Sequence, residues 1–153
     1  MTCLYSTFAL DIESQLESLA IVSMEKPMKI AAIVLRTLMG LLFIFASVTY
    51  LFKLITPPEQ VGAMKVFNDG LNASVYLMPT VKVIELICGI AFVSGLYVPL
   101  ASVIIAPIIV NILLVHVFLA PEGIPAAVFL VIANSFLAYV NRESYKALFV
   151  MKS

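Results

Sequence analysis

Leu100-Ala101-Ser102-Val103-Ile104-Ile105-Ala106-Pro107-Ile108-Ile109-Val110-Asn111-Ile112-Leu113-Leu114-Val115-His116-Val117-Phe118-Leu119-Ala120 runs without a lysine, arginine, aspartate or glutamate. At ~1.5 Å per helical residue it reaches about 30 Å, the thickness of a bilayer's hydrocarbon core. A stretch of that length and polarity is read as a transmembrane helix. Working outward, Pro99 separates it from a second apolar run, residues 75–98, and Pro57-Pro58 closes a first, residues 30–54. Pro121 and Pro125 bracket the short connection to a fourth run, residues 125–140, which is the shortest and only just spans. The predicted fold class is all-α: an integral membrane four-helix bundle.

Composition excludes most alternatives. The 153 residues are 63% hydrophobic and 12% charged, and the mean hydropathy is +1.12. An ordinary soluble domain carries about twice that share of charge. The formal net charge is zero and no basic cluster occurs, which argues against nucleic acid and against a polybasic lipid-surface binder. The two cysteines, Cys3 and Cys88, form no C-x-x-C pair, so no relay of that type and no cysteine-based metal site is written here.

Lysine and arginine at the helix ends set the expected orientation. Lys26 and Lys29 precede the first helix, and Arg142, Lys146 and Lys152 follow the fourth on that same side. Lys53 and Lys65 lie opposite. The bias favours both termini in the cytoplasm. Between helices one and two, Thr56-Pro57-Pro58-Glu59 has the form of a capping box, and Asn68-Asp69-Gly70 gives a stop signal. Val61, Met64, Phe67 and Leu71 recur at helical spacing, so a short interfacial helix is expected there. It would act as a lid over the bundle mouth or as a gate.

Residues 28–153 form the membrane domain on this reading, and residues 1–27 an N-terminal segment. In that segment Tyr5, Phe8, Ile12, Leu16 and Leu19 make an apolar stripe, with Asp11, Glu13 and Glu17 off it. It lacks the early positive charge and unbroken apolar core of a secretory signal. Met24 and Met28, with Lys26 and Lys29 close after them, are alternative starts. The segment is thus either a product of an upstream start codon or a cytoplasmic amphipathic helix.

Inside a membrane bundle the informative residues are polar. Helix one carries Arg36, helix two Lys82 and Glu85, helix three Asn111 and His116, and helix four Asn134. Counting residues from the helix ends puts Glu85, Asn111 and Asn134 near one depth, with Lys82 and His116 in the outer third. Burying Lys82 and Glu85 costs ~5–7 kcal/mol on insertion scales, and the apolar residues from Leu86 to Leu96 return only ~2–4 kcal/mol. Helix two is a poor span alone, so its charges should be met. Lys82 and Glu85 are three apart on one face and can pair. Arg36 is expected to reach Glu85 across the bundle, with Lys82 a second partner or snorkelling outward. Such a pair either fixes which helix faces inward or lines a pocket for a small ligand or a proton step.

Pro107 frees the carbonyl of Val103 and should bend helix three one turn before Asn111. His116 has no second histidine and no acidic or cysteine spacing to support a metal, so it is expected to hydrogen-bond near the outer mouth. Cys88 reads as a small packing residue. Gly89, Ala91, Ser94 and Gly95 offer a surface that another helix can approach closely.

With those residues in view, the chain resembles the DoxX family of small membrane proteins from about residue 29 onward. The resemblance rests on Arg36-x-x-x-Gly40, Lys53, Glu85-x-x-x-Gly89 and Val98-Pro99-Leu100-Ala101. Its most specific stretch is Ala106-Pro107-Ile108-Ile109-Val110-Asn111-Ile112-Leu113-Leu114-Val115-His116, followed by Phe118-Leu119-Ala120-Pro121-Glu122-Gly123. The chain departs at Ser47-Val48-Thr49-Tyr50, where relatives usually place glycine before the lysine, and its N-terminal segment has no counterpart. The resemblance implies an inner-membrane protein that serves as a membrane subunit of a quinone-linked or redox-protective oxidoreductase system. It further implies a quinone as cofactor, a soluble oxidoreductase partner, and a pocket lined by Arg36, Glu85, Asn111 and His116.

The residues themselves leave three classes open. A redox subunit would carry bound quinone or an oxidoreductase partner. A small-solute or proton conduit would change flux in Glu85→Gln at unchanged expression. An assembly or stress protein, alone or as a homo-oligomer, would use the polar groups for packing. No haem or flavin signature is present, so a redox cofactor would be a lipid or belong to a partner.

Overall fold

The computed structural model describes the backbone of residues 2–55 and 60–149 and the side chains of residues 27–55 and 60–145. Helix α1, Thr2–Leu51, is continuous through Pro27. The stripe from Tyr5 to Leu19 and the Thr56–Glu59 capping box lie outside the described residues. After α1 come a short helix α2, Gly62–Ala73, then α3, Leu77–Ser94, and α4, Val98–Phe118. A 3-10 turn, Pro121–Gly123, leads into α5, Ile124–Val140, and α6, Arg142–Phe149, follows.

Among the described residues, four segments are long and apolar enough to cross a membrane: Pro27–Leu51, Leu77–Ser94, Val98–Phe118 and Pro121–Val140. The chain is a multi-pass membrane protein built as an all-α bundle. The fourth span is longer than the sequence suggests. Pro121 and Pro125 each occupy a first helical turn, where a missing N–H leaves no hydrogen bond unmade. They start the span rather than bracket a loop. Pro99 likewise starts α4, and the reversal before it is made by Gly95 at φ +78° and Tyr97 at φ +56°.

The expected stop at Asn68-Asp69-Gly70 does not occur. Gly70 stays helical, the Lys65–Asp69 pair at 3.0 Å bridges one turn, and α2 continues to Ala73. The chain turns only at Ser74–Tyr76, where Val75 takes φ +61° and the Ser74 hydroxyl accepts from the Leu77 N–H to open α3.

Around the bundle the spans follow one another as α1, α3, α4, α5 and back to α1. We call the end bearing α2 the loop end and the opposite one the terminal end. The closest packing is between α1 and α3 at Gly40 and Gly89. A methyl group on Gly40 would lie 2.8 Å from the Gly89 carbonyl oxygen, and one on Gly89 would lie 2.9 Å from that of Gly40. Small residues at such a crossing let backbones approach without a hydrophobic drive between helices. Met39, Phe92, Ile105 and Leu137 fill the centre, while Phe45, Ile87, Leu100 and Ile132 point outward. That distribution suits a bundle whose solvent is lipid.

Candidate functional site: a buried ion pair below the loop-end pocket

Glu85 stands midway along α3 and is 2% exposed. Its Oε2 accepts a hydrogen bond from Lys82 Nζ at 2.7 Å and a long one, 3.5 Å, from the fully buried Ser47 hydroxyl of α1. Three residues apart on α3, Lys82 and Glu85 share one face. Cys88, one turn deeper, is buried as well and packs in the core as expected of it.

Arg36 does not join this pair. Its Nη1 donates to the Phe92 carbonyl at 2.8 Å, and Phe92 is seven residues from Glu85, about 10.5 Å along the helix. The register explains the correction. With Gly40 packed on Gly89 in an antiparallel pair, Arg36 and Glu85 each lie four residues before their own glycine, on opposite sides of the crossing. They are therefore about 12 Å apart in level, beyond reach of an arginine whose guanidinium is already held. The guanidinium instead lies where a side chain on Gly95 would be.

The remaining polar groups are also dispersed. Asn134 is buried and its Nδ2 donates to the Ser102 carbonyl at 3.2 Å. Ser102 is nine residues from Asn111 on α4, so Asn134 and Asn111 differ in level by about 13.5 Å. Because the fourth span starts at Pro121 rather than at residue 125, Asn134 sits nearer the terminal end than counting suggests. Asn111 faces outward, away from the bundle. His116 is at the loop end, where Nδ1 donates to the Ile112 carbonyl at 2.8 Å and the ring covers Gly123. A carbonyl only accepts, which assigns the proton to Nδ1 in this arrangement. Glu85 and Asn111 do lie near one depth, about 12 and 10.5 Å from the loop ends of their helices, but they face different ways, and of the expected polar groups only Lys82 and Glu85 meet.

Two participants were missed by reading the sequence. Ser47 is one: the Gly40–Gly89 register sets it at the level of Lys82, and pairing the two x-x-x-Gly motifs before assigning contacts would have found it. Tyr145 on α6 is the other. Its hydroxyl donates to the Pro99 carbonyl at 3.0 Å and ties α6 to the start of α4. Burial pushes its phenol above the ordinary tyrosine range, and the nearby Ser102 hydroxyl, which makes no hydrogen bond of good geometry, partly offsets this. No sequence signal marked that contact.

On the loop-end side of the ion pair lies an open pocket of about 470 Å³ whose lining includes Tyr50, Lys65, Asn68, Asp69, Asn72 and Met78. Tyr50 is three residues beyond Ser47 on α1, and on α3 Met78 is four before Lys82 and seven before Glu85, so the lining comes within one turn of Lys82 and two turns of Glu85. Helix α2 forms its outer wall. Among the described residues no group of three metal-ligating side chains occurs.

Residues 31–117 match the family model for DoxX, more than half of the chain. The chain belongs to the DoxX family. No curated protein and no solved structure matched it. The DoxX match takes in Arg36, Ser47, Lys82, Glu85, Asn111 and His116, and it ends before Asn134 and Tyr145. The ion pair, the pocket above it and the glycine crossing that sets their register all fall within or beside DoxX-matched helices.

Proposed function

We propose that this DoxX-family protein is the membrane subunit of a redox system in an inner membrane, with both termini cytoplasmic, and that it holds a quinone head group in the loop-end pocket. The observation that carries the reading is the buried Lys82–Glu85 pair, whose Lys82 stands one turn from the pocket's lining. A carboxylate buried midway along a membrane span with one lysine beside it marks a functional site by default. The pocket has the size of small-molecule sites. Its amides at Asn68 and Asn72 suit carbonyl oxygens, Tyr50 and Met78 offer a ring seat, and the Lys65–Asp69 pair stands on its wall. A bound quinone would supply the electron acceptance that no side chain here provides, with the electrons coming from a soluble oxidoreductase partner. The chain's own tasks are to seat the ring, shield it with α2, and keep a protonatable group at Glu85 beneath it.

Native mass spectrometry of the gently solubilised protein tests this. A quinone mass or a co-purifying oxidoreductase, lost in Glu85→Gln, is the expected result. A protein carrying phospholipid alone, in wild type and variant alike, would overturn the redox reading and favour a conduit or an assembly role.

A further inference from the structure

We propose that the outward face of α4 is a homodimer interface centred on Asn111. Asn111 is exposed and, among the described residues, hydrogen-bonds to nothing else in the chain. It lies seven residues from the loop end of a 21-residue span, about 10.5 Å inside. No water reaches a lipid-facing amide at that depth, so a free donor and acceptor there are costly until a partner meets them. The other amide within the spans, Asn134, is buried and bonded to the Ser102 carbonyl. Ser135 on α5 is exposed too, but a serine can return its hydroxyl to the carbonyl one turn back in its own helix.

The residues around Asn111 are spaced for a helix partner. Leu100, Ile104, Pro107, Asn111, Leu114 and Phe118 are all exposed and follow one another at steps of four, three, four, three and four. That is the 3.5-residue seam of a two-stranded coiled coil, and it falls opposite the side of α4 that buries Ile105 and Ile109. The whole helix carries no lysine, arginine, aspartate or glutamate, so the face offers no charge for a complementary partner to read.

A second copy of this chain fits best. Copies inserted the same way present their α4 helices in parallel. A two-fold axis along the membrane normal then brings Asn111 opposite Asn111 at identical depth. In a parallel pair, residues at one seam position face each other, and an asparagine there satisfies its partner because an amide both donates and accepts. A different protein would need a polar residue matched to that depth, whereas symmetry supplies one here. The face is remote from the Lys82–Glu85 pocket, so the proposal stands whether or not a quinone binds.

The test is energy transfer between donor- and acceptor-labelled full-length chains in phosphatidylethanolamine–phosphatidylglycerol vesicles, over a range of protein-to-lipid ratios. Wild type should dimerise, and Asn111→Val should raise the dissociation constant about 5- to 30-fold, the scale of one interhelical hydrogen-bonded contact. Asn111→Gln should restore association. In a background lacking Cys3 and Cys88, Asn111→Cys should cross-link to itself on mild oxidation and Ile132→Cys on α5 should not. A wild type that stays monomeric at every ratio would overturn the proposal. So would a dimer indifferent to Asn111→Val that cross-links through Ile132→Cys, or Asn111→Cys captured by another protein in native membranes.

Discussion

Lys82 Nζ lies 2.7 Å from Glu85 Oε2, and both belong to one helix. Helix α3 therefore carries its own countercharge. The span with the least favourable insertion balance can enter the bilayer with a pair whose net charge is zero, before any other helix arrives. Ser47 then adds a hydroxyl from α1 when the Gly40–Gly89 crossing closes. An Arg36–Glu85 bridge would have required assembly first.

The pair is asymmetric, and its single variants should differ. Lys82→Met strands a carboxylate that is 2% exposed, and its loss of stability should approach about 3 kcal/mol. Glu85→Gln leaves a lysine that is partly exposed and can turn toward the loop end, so its cost should be smaller. The double variant should be more stable than Lys82→Met alone. Unfolding in mixed micelles, read as a double-mutant cycle, checks the order; additive effects would show that the two charges are not coupled.

The α1–α3 crossing tolerates no side chain. In Gly40→Ala or Gly89→Ala the new methyl meets a backbone oxygen of the facing helix at under 3 Å, and backbone cannot swing aside as a side chain can. Each substitution should destabilise by about 1–3 kcal/mol. Gly70→Ala, where a methyl meets nothing, is the control and should be neutral or slightly stabilising in the same unfolding measurement.

Gly95 serves Arg36 twice. Its φ of +78° favours glycine, and the space a side chain would fill holds the guanidinium. Gly95→Ala should therefore cost about 1–3 kcal/mol through strain and displacement of Arg36 from the Phe92 carbonyl. Removing the guanidinium as well, in Arg36→Leu/Gly95→Ala, should show a smaller Gly95→Ala penalty than the wild-type background. Equal penalties in both backgrounds would assign the whole effect to the backbone.

Tyr145 sets a pH limit on the docking of α6. Its phenol titrates above the ordinary tyrosine value of 10.0, so the neutral form is the one the fold favours. That contribution is fully present below pH ~10 and is lost as pH rises through the folded value. In an absorbance titration, the wild-type minus Tyr145→Phe difference should rise only above the range of an exposed tyrosine. A difference centred at pH 10 or below would show that the Pro99 contact is not maintained in solution.

Much of this protein was determined locally. Apolar run length against bilayer thickness sets the number of spans, because hydrocarbon admits a helix only when its backbone is internally bonded and its side chains are apolar. The Lys82–Glu85 pairing is likewise local, since three residues along one helix fix the distance. The family resemblance also sits in contiguous motifs, and the matched residues 31–117 contain all of them except Phe118 to Gly123. What counting along helices did not give was register and rotation. Residue depth was estimated from helix ends, and an end shifted by four residues, as at Pro121, moves a side chain by about 6 Å. Which face turns inward depends on how all four helices fit together. The glycine crossing put Arg36 and Glu85 on opposite sides of a contact and brought Ser47 in, and the packing of α4 left Asn111 facing out of the bundle. Those outcomes belong to packing between segments far apart in the chain, which only the tertiary structure decides.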